Sequence, residues 1–188
     1  MKKCILFMIV GLLSLPLMAQ SKLELFGGYQ YLHNGNISVD GESQPGSSQG
    51  YNGWDISARF NVAKFVGVEG DFSGSYANVS GVSTDIYTYS GGPVVSARVG
   101  GIQPFVHVLA GGTRLTGSAS GASLSTNGYN VMVGGGVDAK VNRLLWIRVG
   151  QVDWIYSHFT GFSVDQQTTP SFGGSGNVRI ATGIVLHF

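Results

Sequence analysis

Apolar and polar side chains alternate one by one along most of the chain, and the last stretch, IATGIVLHF at 180–188, shows the pattern most cleanly. Ile180, Thr182, Ile184, Leu186 and Phe188 fall on one face of an extended strand. Arg179, Ala181, Gly183, Val185 and His187 fall on the other, because strand side chains alternate with a period of two. Eight segments read this way, each bounded by Gly, Ser, Asn or Pro clusters. The first, 23–33, sets Leu23, Leu25, Tyr29 and Tyr31 against Glu24, Gly28 and Gln30. The second, 51–62, sets Trp54, Ile56, Ala58, Phe60 and Val62 against Asp55, Ser57, Arg59 and Asn61. In the third, Val66, Val68, Phe72 and Tyr76 oppose Glu69, Asp71, Ser73 and Ser75; in the fourth, 86–99, Tyr89, Val95, Ala97 and Val99 oppose Ser96 and Arg98. The fifth, PFVHVLAGGTRL, has an ambiguous facing, while the sixth, YNVMVGGGVDAK, puts Val131, Val133, Val137 and Ala139 opposite Asn130, Asp138 and Lys140.

The seventh segment, LLWIRVGQVDWIY, breaks the rule, since Arg148 has the opposite parity to Gln151 and Asp153. A bulge at Gly150 restores it: one extra residue turns all three polar side chains to the same face and leaves Val152, Trp154 and Tyr156 on the other.

The connections alternate as strictly as the side chains. Those at 34–50, 77–85, 117–128 and 157–176 are long and low in complexity, whereas those near Lys64, Gly101 and 141–143 are short. An even number of antiparallel strands with long loops at one end and short turns at the other is the pattern of a bacterial outer-membrane barrel. The expected fold is therefore all-β, an eight-stranded antiparallel up-and-down transmembrane β-barrel. A soluble sandwich or lipocalin also has short alternating strands, but its outer face needs charge, and the apolar faces of these segments carry almost none. Aromatics near strand ends (Tyr29, Tyr31, Trp54, Phe65, Phe105, Trp146, Trp154, Phe188) suit interfacial girdles. Glycines inside strands, at Gly27, Gly91, Gly111 and Gly134, suit the crowding and curvature of a narrow barrel.

Composition supports strands over disorder: the chain of 188 residues is 43% hydrophobic and 11% aromatic, with 30 glycines. Only 11% of residues are charged and the formal net charge is +1, which argues against a nucleic-acid partner. Lys2, Lys3, an apolar run over 4–17 and Ala19 have the layout of a secretory signal peptide at 1–19, leaving the barrel at 20–188. As a membrane anchor the uncharged run is too short and is broken by Pro16, because a spanning helix needs about 20 residues. The single cysteine, Cys4, lies inside that segment, so no disulfide framework or cysteine metal site is expected.

The chain resembles the small eight-stranded OmpA-like outer-membrane β-barrel family through ELFGGYQYL at 24–32, FVGVEGDFSGSY at 65–76, PFVHVLAGG at 104–112, VGGGVDAKV at 133–141, RVGQVDW at 148–154 and NVRIATGIVLHF at 177–188. The resemblance implies a monomer in the outer membrane with both termini periplasmic, surrounded by lipid and lipopolysaccharide. It also implies that the final aromatic, Phe188, is read by the outer-membrane assembly machinery. Many members carry a peptidoglycan-binding domain after the barrel, which is not expected in a chain ending at its last strand. The implied role is structural or envelope-associated.

The inward polar residues Glu24, Arg59, Glu69, Asp71, Arg98, Asp138, Lys140, Arg148 and Asp153 carry both signs, and an eight-stranded lumen is just wide enough for side chains to fill. They form either a paired plug or, as in related barrels with an interior carboxylate and arginine pair, a gated narrow conduit, with Glu69 and Arg148 or Arg98 as the candidate pair. Some barrels of this size edit lipids with a Ser and a His. Here Ser157 and His158 are adjacent and point to opposite faces, while His33, His107 and His187 are scattered, so no enzyme, metal or cofactor is expected. The long loops lack Lys and Arg, carrying only Asp40, Glu42, Asp85 and Asp165 as charged types. They offer Phe159, Phe162 and Phe172 as contacts for a surface partner or adhesion role.

Overall fold

The computed structural model describes residues 23–34, 38–39, 42–43, 49–79, 82–119, 122–159 and 175–188. The signal peptide assigned to 1–19 and the loop residues Phe162 and Phe172 lie outside them. Ten strands are present: β1 (Leu23–Asn34), β2 (Ser38–Val39), β3 (Glu42–Ser43), β4 (Gln49–Asn61), β5 (Val66–Val79), β6 (Val82–Ser96), β7 (Ile102–Ala119), β8 (Ala122–Lys140), β9 (Leu145–Phe159) and β10 (Ser175–His187). The two-residue strands β2 and β3 pair only with each other. The other eight close into one antiparallel barrel in the order β1-β10-β9-β8-β7-β6-β5-β4. Closure is completed where β1 meets β10, and Phe188 N donates to Leu23 O at 2.9 Å beside the seam.

Parity decides what each side chain meets. Leu25, Ile56, Val68, Val106, Val133, Val152 and Ile184 stand on the outer wall, and polar residues of opposite parity line the lumen. Strand five of the sequence pattern is resolved by the same rule: Gln103, Phe105, His107 and Leu109 point inward, while Val106 and Val108 point outward. The irregular strand contains the bulge. Asp138 of β8 faces Arg148, whereas the neighbouring Val137 faces Gly150, so β9 holds one extra residue at Val149–Gly150. Arg148, Gln151 and Asp153 are consequently all buried, with Val152 and Trp154 outside.

Three short turns share one end of the barrel. Gly100, with φ 60°, takes the left-handed conformation between the bridged residues Val99 and Ile102. In the turn after β8, Asn142 Oδ1 accepts from the backbone nitrogens of Leu144 and Leu145 at 2.9 and 2.8 Å.

The opposite end departs from the sequence reading. The segments 77–85 and 117–128, taken as long loops, are largely strand: Val79 pairs with Val82, and Ala119 with Ala122. Their Gly and Ser content has no apolar alternation, but ladder pairing uses the backbone and does not require one. Two aromatics also change sides. Phe105 and Trp146 share the parity of inward residues and are buried inside the barrel, so they are not girdle residues. Phe60, Phe65 and Phe188 form the outward aromatic group near the short turns; Tyr29, Tyr31, Trp54, Tyr89, Tyr129 and Trp154 face outward toward the other end.

Candidate functional site: the barrel interior

Inward side chains from seven of the eight wall strands meet in one ion-pair column. Arg59 on β4 lies directly across from Glu69 on β5, and its Nε donates to Glu69 Oε2 at 2.8 Å while Nη1 donates to Glu24 Oε2 of β1 at 3.0 Å. The far oxygen of Glu69 is 3.1 Å from His107 Nδ1 on β7, and His107 Nε2 is 2.9 Å from Asp153 Oδ1 on β9. A neutral imidazole can donate to only one of two carboxylates, so the cationic ring completes both contacts. Asp153 passes the chain to Arg179 on β10, whose Nε donates to Asp153 Oδ2 at 2.7 Å. Arg179 also grips Asp71 with both terminal nitrogens, at 3.0 and 2.9 Å. A side branch adds β8: Gln151 bridges Asp153 to Arg148, and Arg148 Nε donates to Asp138 Oδ1 at 2.8 Å.

Aromatic rings sheathe the cations on the side of the short turns. The Arg148 guanidinium lies 4.1 Å from the Phe26 ring centre and 4.4 Å from that of Phe105, and Arg59 covers Phe105 at 4.3 Å. Trp146 stacks on His187 at 4.6 Å between centroids, with Arg98 over the indole at 4.8 Å. At the other end the lumen turns apolar, where Leu32, Tyr51, Ile86, Leu109, Met132 and Ile155 pack into one cluster.

Of the interior residues named from the sequence, Glu24, Arg59, Glu69, Asp71, Asp138, Arg148 and Asp153 are buried. Arg98 joins them only from the mouth, with Nη2 3.8 Å from Glu24 Oε1 and 3.0 Å from His187 Nδ1. Strand β6 ends at Ser96, so Arg98 belongs to the turn, is exposed, and reaches back over the mouth to Gln103 Oε1 at 3.0 Å. Lys140, at the end of β8, is exposed as well. The suggested pair of Glu69 with Arg148 or Arg98 is replaced by Glu69 with Arg59 and His107, because cross-strand register sets Arg59 opposite Glu69.

Arg179, Asp55 and His107 were not among the named residues, although parity places Arg179 and Asp55 on the inward face. Asp55 is fully buried with no hydrogen-bond partner for either oxygen among the described residues; Arg179 Nη1 is 3.6 Å away. Ser157 is buried in the lumen while His158 packs on the Tyr129 ring, 5.0 Å between centroids, so the adjacent pair does not converge. Phe159 lies in β9 with its backbone opposite Gly128. No group of three or more His, Cys, Asp or Glu arranged to hold a metal ion occurs among the described residues.

An ionic lumen inside an apolar, closed, eight-stranded up-and-down wall defines the class: the chain has the fold of the small OmpA-like outer-membrane barrels. Among solved structures it is similar to neisserial surface protein A, with a TM-score of 0.67 and 10% identity over 91% of this chain and 100% of that one. It is similar also to OprG of Pseudomonas aeruginosa (TM-score 0.51, 12% identity, 88% of this chain and 95% of that one). The attachment invasion locus protein Ail of Yersinia pestis matches with a TM-score of 0.50 and 16% identity, over 86% of this chain and 97% of that one. No protein-family model and no curated protein matches the sequence.

Proposed function

We propose that the protein is an integral β-barrel of a bacterial outer membrane with a structural or envelope-associated role, its short turns and both chain ends on the periplasmic side, and its lumen plugged by its own side chains. The observation that carries this reading is the inverted distribution of polarity. Arg59, Arg148 and Arg179 are buried, while a continuous belt of Val, Ile, Leu and aromatic side chains is left outside. Water would penalise both halves of that arrangement, whereas lipid requires the second and a closed sheet makes the first possible. The plug has two parts, the ion-pair column and the apolar cluster that follows it. In that cluster Leu109 and Met132 have no exposed surface, so a file of water would find no polar partner there. That cluster favours the plugged barrel over a gated conduit, and the separation of Ser157 from His158 favours a non-enzymatic role.

Planar-bilayer recording on the refolded protein tests the plug. No unitary current steps are expected from the native chain; sustained steps would make the narrow pore the correct reading.

A further inference from the structure

The outer wall carries a groove of about 430 Å³ across β4 to β7. Its floor is a cross-strand row in direct register, Ala58 opposite Gly70, Gly70 opposite Gly91 and Gly91 opposite Ala110, with Ile56, Phe72 and Tyr89 rising at its sides. The two glycines are not explained by the barrel's own packing. A methyl group on Gly70 would meet nothing within 4 Å, and one on Gly91 would touch only the Glu69 carbonyl oxygen at 3.5 Å. At Gly134, by contrast, the same methyl would overlap the Asp153 carboxylate; Gly27, Gly117 and Gly150 leave similar room singly, whereas Gly70 and Gly91 lie directly opposite each other. Glycine weakens a strand by roughly 0.5–1 kcal/mol, and where the chain itself leaves room it marks a place that something outside approaches closely.

The second observation is Arg114, on the same strand as Ala110 and four residues nearer the long-strand end. It is exposed and has no hydrogen bond or ion pair among the described residues. Every other described Lys or Arg lies in the lumen (Arg59, Arg148, Arg179) or at the short-turn end (Lys64, Arg98, Lys140, Arg143). Twelve residues separate Ile102, at the short-turn start of β7, from Arg114; at about 3.3 Å per residue and about 40° of tilt, Arg114 lies roughly 30 Å up the wall, just beyond an apolar band roughly 25 Å tall. The groove is thus at acyl-chain depth and the cation above it at headgroup depth. Tyr87 pairs with Arg114 across the ladder, and Asp85 stands one outward position further on, opposite Thr116. Asp85 makes no ion pair with Arg114, and it sets the height above which an anion is repelled.

We infer that this face is a binding site for an anionic, phosphate-bearing lipid of the surrounding leaflet, its phosphate on Arg114 and one acyl chain laid in the groove floored by Gly70 and Gly91. The inference rests on the membrane reading. Trp54 reports on it directly, since its ring packs on Phe72 at the groove edge with 5.2 Å between centroids. Trp146 is buried in the lumen, and Trp154, on β9, can be replaced by Phe.

The experiment uses the W154F chain in vesicles of phosphatidylcholine containing bromine-labelled phosphatidic acid or bromine-labelled phosphatidylcholine at equal mole fraction. Phosphatidic acid should quench Trp54 with a relative association about fivefold higher, the size of effect one basic side chain has at an anionic lipid surface. Arg114→Gln should abolish the excess, and so should Gly91→Leu, which sets a side chain on the groove floor and whose Cβ meets only the Glu69 carbonyl oxygen, at 3.5 Å. Equal quenching by the two lipids, or an excess that survives either variant, would overturn the site. Absence of quenching by both lipids would instead overturn the membrane reading on which the site rests.

Discussion

Arg179 is the residue on which the lumen depends most. Its guanidinium serves Asp71, Asp153 and, more loosely, Asp55, and removing one partner of a buried ion pair leaves uncompensated charge that costs about 3–5 kcal/mol. Arg179→Gln is therefore expected to lower the unfolding free energy of the refolded barrel by about 3–5 kcal/mol, and with it the urea midpoint, measured by tryptophan fluorescence in vesicles. Asp55 should behave in the opposite sense. Neither of its oxygens accepts a hydrogen bond among the described residues, and it adds a further carboxylate to a site already rich in them. Asp55→Asn should leave the unfolding free energy unchanged or raise it by up to about 1 kcal/mol, whereas Asp153→Asn, which weakens contacts to His107 and Arg179, should lower it. A lower midpoint for Asp55→Asn would mean that Arg179 depends on the long contact. Alternation in the sequence shows that these residues point inward. It does not show who meets whom, because partners are set by the relative heights of strands. Asp71 and Arg179 are 108 positions apart and meet through the curvature of a closed wall.

The bulge in β9 is legible in the sequence because three polar residues of conflicting parity share one strand, and lipid tolerates none of them outside. Deleting Gly150 would remove the extra residue and rotate one half of β9, setting either Arg148 or the Gln151 and Asp153 pair against lipid. That deletion is expected to abolish refolding, while Gly150→Ala, with nothing within 4 Å of the new methyl group, should refold normally; circular dichroism separates the outcomes. Strand ends are harder to read. Beyond the apolar band the outer face no longer needs hydrophobic residues, so β7 and β8 continue through Gly, Ser and Thr to Ala119 and from Ala122 without the alternating signal. Phe105 and Trp146 illustrate a related ambiguity. Their residue type suits a membrane interface as well as a cation shelf, and only parity sends them inward to Arg59, Arg148 and Arg98.

At the scale of the molecule, closure joins these parts: the barrel leaves no unpaired sheet edge in lipid, and its narrow lumen forces the inward charges into one another. On the proposed reading the apolar cluster around Leu109 and Met132 closes the lumen, so the doubly substituted Leu109→Ser, Met132→Ser chain is expected to show unitary currents and the native chain none. If the double variant stays silent, the ion-pair column alone suffices to block the lumen. The fold was legible in the sequence because the membrane imposes the same two-residue rule on every spanning strand. A role was not legible in the same way, since the Gly- and Ser-rich connections follow no such rule.

The most direct test is to fractionate cells and run the outer-membrane fraction on a gel with and without boiling. A closed barrel resists detergent until heat opens it, so the protein is expected in that fraction with a mobility that changes on boiling. A band in the soluble periplasm whose mobility boiling leaves unchanged would contradict the membrane barrel.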